Sequence, residues 1–272
     1  MQNSLDFAVV SAPVLPIYRV VPRIYDPFEP KPWELADEDG TLGDRFDDPG
    51  GRPGRAVVIP LLQRFRVIYC ATKPSGAFGE TVARVRPKLT EIPGFAEIEA
   101  DEDYPEPLDA YLHGLRDPLF PDRGILSASW RLERQLYQTR LDRAMLFVDI
   151  CSPTTIETLR RELAAVALRL GLSDIDFSTV IGPMREFTQE CSRCIYEQTD
   201  DLGRPIFAGI RYKSRLNAEW ECWAIFHDRM EGRHSPGFPE TITPDHPALC
   251  EVAAQYHLSI EIFQGAGHFV RP

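Results

Sequence analysis

The chain has 272 residues, 43% of them apolar, with 41 acidic against 30 basic side chains and a formal net charge of −11. That length suits one large domain or two small ones, and four Trp with fifteen Phe exclude overall disorder, because disordered chains are poor in large aromatics. The charge repels phosphate backbones at long range and argues against nucleic acid as a partner, while a small anionic ligand can still be held by a few convergent arginines.

In chain order, Ile17 to Val21 reads as a first short strand. Asp26 to Arg55 is polar, acidic and Gly-rich, hence loop. Phe65 to Ala71 is β-branched and aromatic, a strand. Pro74 and Ser75 then open a helix over Gly76 to Arg86, with Glu80 on its first turns. Pro87 to Arg123 is rich in proline and acidic residues and reads as an inserted excursion. Ala128 to Arg140 is expected to be helical, with Arg131, Arg134, Arg140 and Arg143 on a solvated face, and Ala144 to Ile150 a strand.

Ser152 should cap a helix that has Pro153 at its first position and stops at Gly171. A further helix spans Phe177 to Gln198, broken or kinked at Gly182-Pro183. Ile206 to Tyr212 and Cys222 to His227 read as strands joined by a polar link that contains Ser214. Asp245-His-Pro opens a last helix to Tyr256, and Leu258 to Phe263 is a closing strand. Strands at both ends with helices between them predict a mixed α/β (α+β) domain. No apolar run approaches the ~20 residues that span a bilayer. Met1 to Ala12 lack the pattern of a secretory leader, so the six cysteines read as reduced thiols in a cytoplasm.

Three segments carry residue types suited to chemistry. Arg45 lies in a Gly/Asp-rich loop, where an arginine can fork two hydrogen bonds to phosphate oxygens. Tyr69 ends a strand and Glu80 follows on a helix, a junction that can aim both side chains into one cleft. Ser214 lies between Arg211 and Arg215 at the end of another strand. The plainer readings are a solvated arginine, a half-buried tyrosine, a first-turn acid favoured by the helix dipole and a strand-end turn. Cys191-Ser-Arg-Cys194 is a lone CxxC and reads as two buried small residues rather than a metal site. No metal is expected.

Taken in order, Tyr18-Arg-Val20, Gly43-Asp-Arg-Phe46, Arg66-Val-Ile-Tyr69 with Ala77-Phe-Gly-Glu80, Arg185-Glu-Phe-Thr-Gln189 and Ala208 to Arg215 resemble the RES domain. The resemblance covers roughly residues 17–228, with the Tyr69 to Glu80 step and the order of the pieces carrying its specificity. It implies a core like that of ADP-ribosyltransferases, with NAD as substrate in a central cleft. It implies an NAD glycohydrolase, phosphorylase or ADP-ribosyltransferase, a toxin neutralised by a helix-turn-helix antitoxin.

By position, Arg45 would contact the NAD phosphates, Tyr69 would shape or stack in the nicotinamide pocket, and Glu80 would stabilise the oxocarbenium-like ribose. Ser214 would bond that ribose or its surroundings, and Arg19 would support the site. The chain is expected to form one domain over 1–272. Its insertions fall at about 47–64 and 87–125, its extension at 229–272, and Arg52 or Arg55 stands as an alternative phosphate ligand. A homo-oligomer is compatible with this reading. A catalytically silent module that binds a nucleotide or a protein is the alternative.

Overall fold

A computed structural model of the chain describes residues 5–38, 40–50, 59–87, 124–264 and 268–270. Its strands are β1 (Val9–Ser11), β2 (Ile17–Pro22), β3 (Val67–Ala71), β4 (Ile125–Leu126), β5 (Arg134–Thr139), β6 (Leu146–Asp149), β7 (Gly209–Lys213), β8 (Glu221–Phe226), β9 (Phe238–Thr241), β10 (Ser259–Ile260), β11 (Ile262–Gln264) and β12 (His268–Val270). Its helices are α1 (Pro74–Val82), α2 (Ala128–Leu132), α3 (Pro153–Glu162), α4 (Ala164–Arg169), α5 (Phe177–Val180), α6 (Arg185–Tyr196) and α7 (Pro247–Tyr256). None of the described helices is long and apolar enough to cross a membrane.

Eight strands form one sheet in the order β1-β6-β7-β8-β3-β2-β5-β9, antiparallel except for the β6–β7 pair. The mixed α/β class expected from the element pattern is the class observed. Alternation along β3 divides the interior. Val67, Tyr69 and Ala71 face a large core shared with α1, α6 and α7, whereas Ile68 and Cys70 join Ile17, Phe147 and Trp223 in a smaller core behind the sheet. Tyr69 is thereby presented to the helix-covered side.

Four expectations need correction. Ala128 to Arg140 is not one helix: α2 ends at Leu132 and Arg134–Thr139 is strand β5, paired with β2 on one side and β9 on the other. Tertiary pairing outweighs helical propensity there. The four arginines are therefore no solvated helix face. Arg131 is buried and donates to the carbonyls of Ile242 and Glu261, Arg134 lies over Trp130, Arg140 donates to Val14 O and Arg143 to Ala12 O. Ser152 occupies the N-cap position of α3 without a side-chain capping bond, and the helix breaks at Leu163 before α4. The closing strand is divided into β10 and β11, both outside the large sheet.

All six cysteines are free. Cys191 is buried and Cys194 half-buried on α6, and the described residues hold no cluster of three His, Cys, Asp or Glu side chains suited to a metal.

The loop before β3 is anchored by one carboxylate. Asp48 is fully buried between Arg193 Nη1 at 2.9 Å and Arg64 Nε at 3.3 Å, and it accepts the N–H groups of Gly50 and Phe65. A buried charge with this many donors is compensated; removing either cation would leave part of its desolvation cost unmet.

Candidate active site

β2 and β3 pair at one position only, Tyr18 opposite Ala71, and then part before Val20 and Tyr69 can face each other. At this opening lies a cleft of about 830 Å³, near the upper end of the ~300–1,000 Å³ usual for small-molecule sites. Its walls come from β2, β3, α1, the loop around Arg45, the turn before α6 and the link after β7. Arg19, Arg45, Tyr69 and Glu80 all line it, and Ser214 lies directly behind Glu80. Elements far apart in sequence thus bring the five candidate residues to one place.

Glu80 occupies the last turn of α1, not the first. A carboxylate there faces the carbonyl end of the helix, so the macrodipole disfavours it and the dipole explanation fails. Among the described residues its hydrogen-bond partner is Ser214, whose hydroxyl donates to Oε1. Ser214 is buried and also accepts the N–H of Leu216 at 3.0 Å. The hydroxyl proton of Ser214 is thus directed to the Glu80 carboxylate.

Arg45 is half-buried, with its guanidinium carbon 5.7 Å from the centre of the Tyr212 ring. Its Nη1 is buried and lacks a hydrogen-bond partner among the described residues. Buried donors are nearly always paired, so this atom awaits an acceptor. Arg19 lines the cleft from the parting of the strands, and its Nη1 donates to Pro27 O at 2.6 Å. Burial lowers its pKa, with Cys70, Asp44 and Asp26 opposing. Arg52 and Arg55 lie outside the described residues. Arg211 is engaged elsewhere, bonded to Asp149 at 2.7 Å and Glu221 at 2.6 Å.

The Tyr69 hydroxyl accepts the N–H of Phe46 at 3.0 Å and donates to Asp47 Oδ1 at 3.1 Å. Burial and then the Asp47 charge push its pKa well up, so it stays protonated and acts as a donor rather than a base. Its ring, half-buried, remains on the cleft wall.

Three further arginines complete the lining: Arg84, Arg185 and Arg215. Arg84 stands four residues after Glu80, the spacing that shares a helix face, and this was the signal available for it. Arg185 opens the Arg185 to Gln189 segment, and Arg215 follows Ser214. Five arginines face two carboxylates, Asp44 and Glu80, so the cleft is cationic in a strongly acidic chain. Low-dielectric walls focus such a field on a small anion. Those walls also raise the pKa of Asp44 by desolvation, against Lys31, Arg185 and Arg84.

Asp47 is buried, and desolvation followed by repulsion from Asp44 raises its pKa to about 7. The folded protein therefore holds this proton more tightly than the unfolded chain, whose aspartates titrate near ~4. Between about pH 4 and 7 the native state binds more protons, so this group's contribution to stability falls as pH rises. Asp47→Asn keeps an acceptor for the Asp44 N–H and removes the titration. The variant's melting temperature relative to wild type should climb from near zero difference at pH 4 to a plateau above pH 7. That plateau should be on the order of 10 °C. A difference that is flat with pH would contradict the assignment.

The chain matches no known protein-family model and no curated protein sequence. Among solved structures it is similar to a chain of the M. tuberculosis MbcT–MbcA toxin–antitoxin complex, at 11% identity and a TM-score of 0.43 over 92% of each chain.

Proposed function

We propose that this chain binds NAD in the cationic cleft and breaks its nicotinamide–ribosyl bond. The observation that carries the reading is the Glu80–Ser214 pair on the same cleft as Arg45, whose buried Nη1 has no partner among the described residues. The arginines take the diphosphate, and Glu80 takes the ribose. Nicotinamide is already a cationic leaving group, so its departure needs stabilisation of the ribosyl charge more than an acid. As the C1′–N bond breaks, both bonding electrons pass to the pyridinium nitrogen and neutral nicotinamide leaves. The Glu80 carboxylate faces the positive charge that builds between C1′ and the ring oxygen. An acceptor with a lone pair then bonds to C1′; when the acceptor is water, ADP-ribose forms and one proton goes to solvent.

Ser214 acts as a positioning residue, fixing one oxygen of Glu80 so that the other is aimed at the ribose. Tyr69 offers a ring face to the nicotinamide while its hydroxyl holds the Arg45 loop. A toxin role restrained by a helix-turn-helix antitoxin belongs to the same reading and rests on the sequence resemblance.

Purified full-length protein incubated with NAD should release nicotinamide, identified by mass together with the ADP-ribosyl product. Arg45→Lys, which loses the bidentate fork but keeps the charge, should raise KM about tenfold. No nicotinamide release with water, phosphate or added protein as acceptor would overturn the proposal. ADP-ribose binding without turnover would favour a silent nucleotide-binding module instead.

A further inference from the structure

Around Arg45 the backbone is bonded residue by residue. The carbonyls of Asp44, Arg45 and Phe46 accept hydrogen bonds from Gln189 Nε2 at 2.9 Å, Thr188 Oγ1 at 2.6 Å and Ser192 Oγ at 2.7 Å. All three donors stand on one face of α6, and all three are fully buried. On the other side, the N–H of Asp44 donates to Asp47 Oδ2 at 2.6 Å and the N–H of Phe46 donates to the Tyr69 hydroxyl. The ring of Phe46 packs edge-on against Tyr212, 5.0 Å between centres.

This arrangement is costly for a helix and unnecessary for a loop. Ser and Thr are poor helix-interior residues because their hydroxyls compete for local backbone groups. Burying three polar side chains on one face is tolerable only when each finds a partner. A Gly/Asp-rich segment can equally lie on the surface with its carbonyls bonded to water. Here those carbonyls are taken out of water at the three residues centred on one arginine, while that arginine's own Nη1 has no partner among the described residues. The backbone is over-determined and the guanidinium is not. That is how a binding group is held ready: its carrier is rigid and its donors are reserved.

We propose that α6 is the positioning element of the anion site, with Thr188, Gln189 and Ser192 setting the reach of Arg45 toward the ligand's phosphates. The inference rests on the phosphate role given to Arg45 above, but its test uses binding and needs no turnover. Affinity for ADP-ribose is measured by calorimetry, with a thermal melt for each variant. Thr188→Val keeps the shape of the side chain and removes its hydroxyl; Ser192→Ala does the same on the next turn and serves where the first variant fails to fold.

Each should weaken ADP-ribose binding about tenfold, the scale of one lost buried hydrogen bond. Thr188→Ser, which keeps the hydroxyl, should restore affinity to within about twofold of wild type. In an Arg45→Ala background, Thr188→Val and Ser192→Ala should cause no further loss, because they act through Arg45. An undiminished effect in that background, or unchanged affinity in the folded single variants, would overturn the proposal. So would a wild-type protein that does not bind ADP-ribose. Binding without nicotinamide release would leave α6 in this role and sink only the catalytic reading.

Discussion

Glu80→Gln should reduce kcat for nicotinamide release on the order of 10²–10³-fold, with KM within about twofold of wild type. The substitution keeps the length and shape of the side chain, and Ser214 can still donate to the amide oxygen. What disappears is the negative charge opposite the developing ribosyl cation. Several observations favour the catalytic role proposed for that charge over a structural one. It sits in the last turn of α1, where the dipole opposes it, and among the described residues it forms no ion pair. It also lines a cleft that is otherwise dominated by arginines. Ser214→Ala should cost less, about tenfold, because it loosens the carboxylate without removing it. Steady-state kinetics beside a thermal melt would check both. Full turnover by a folded Glu80→Gln protein would remove Glu80 from the mechanism.

The second large effect is expected one residue earlier. Gly79 faces the ring of Trp220 so closely that a Cβ would collide with the six-membered part of the indole. Trp220 is fully buried and set edge-on to Tyr256, whose hydroxyl donates to Gly79 O at 3.4 Å, so the ring has nowhere to retreat. Gly79→Ala must push α1 off its seat, with an overpacking cost of about 1–3 kcal/mol. For a domain of this size, that lowers the melting temperature by several degrees, at ~2–4 °C per kcal/mol. Because Glu80 rides on the same turn, kcat should fall further than the loss of folded protein explains. A melting temperature and kcat both within error of wild type would show that the helix can shift without consequence.

The elements that hold the site were legible where local chemistry and tertiary role agree. β3 and β8 are β-branched or aromatic runs, and α1 and α7 carry proline in their first turn. The strand β9 gave no such signal. Phe238–Thr241 contains Pro239, is exposed throughout and exists through its pairing with β5 at the sheet edge. For the same reason Arg134–Thr139 was read as helix: its neighbours on both sides are distant in sequence.

In the candidate site, the order of motifs gathered Arg45, Tyr69, Glu80 and Ser214, but their partners could not be read from spacing. That the Tyr69 hydroxyl serves a loop, and the Ser214 hydroxyl a carboxylate, depends on angles fixed only when the sheet closes. The polar stripe of Thr188, Gln189 and Ser192 has its role only with the loop in place, since its partners are the carbonyls of Asp44, Arg45 and Phe46.

The strand order has a consequence for how the protein is made. β3 is hydrogen-bonded to β8 along its whole length, from Val67 opposite Phe226 to Ala71 opposite Cys222. On a ribosome, the residues that carry Tyr69 and Glu80 emerge long before the strand they pair with, and the Ser214 link follows late as well. The sheet cannot close, and no cleft can form, until the residues of β8 are out. A polypeptide that stops before β8 therefore lacks the pairing that seats β3 at the cleft. The cleft therefore comes into being late and in one step, with the pairing of β3 and β8.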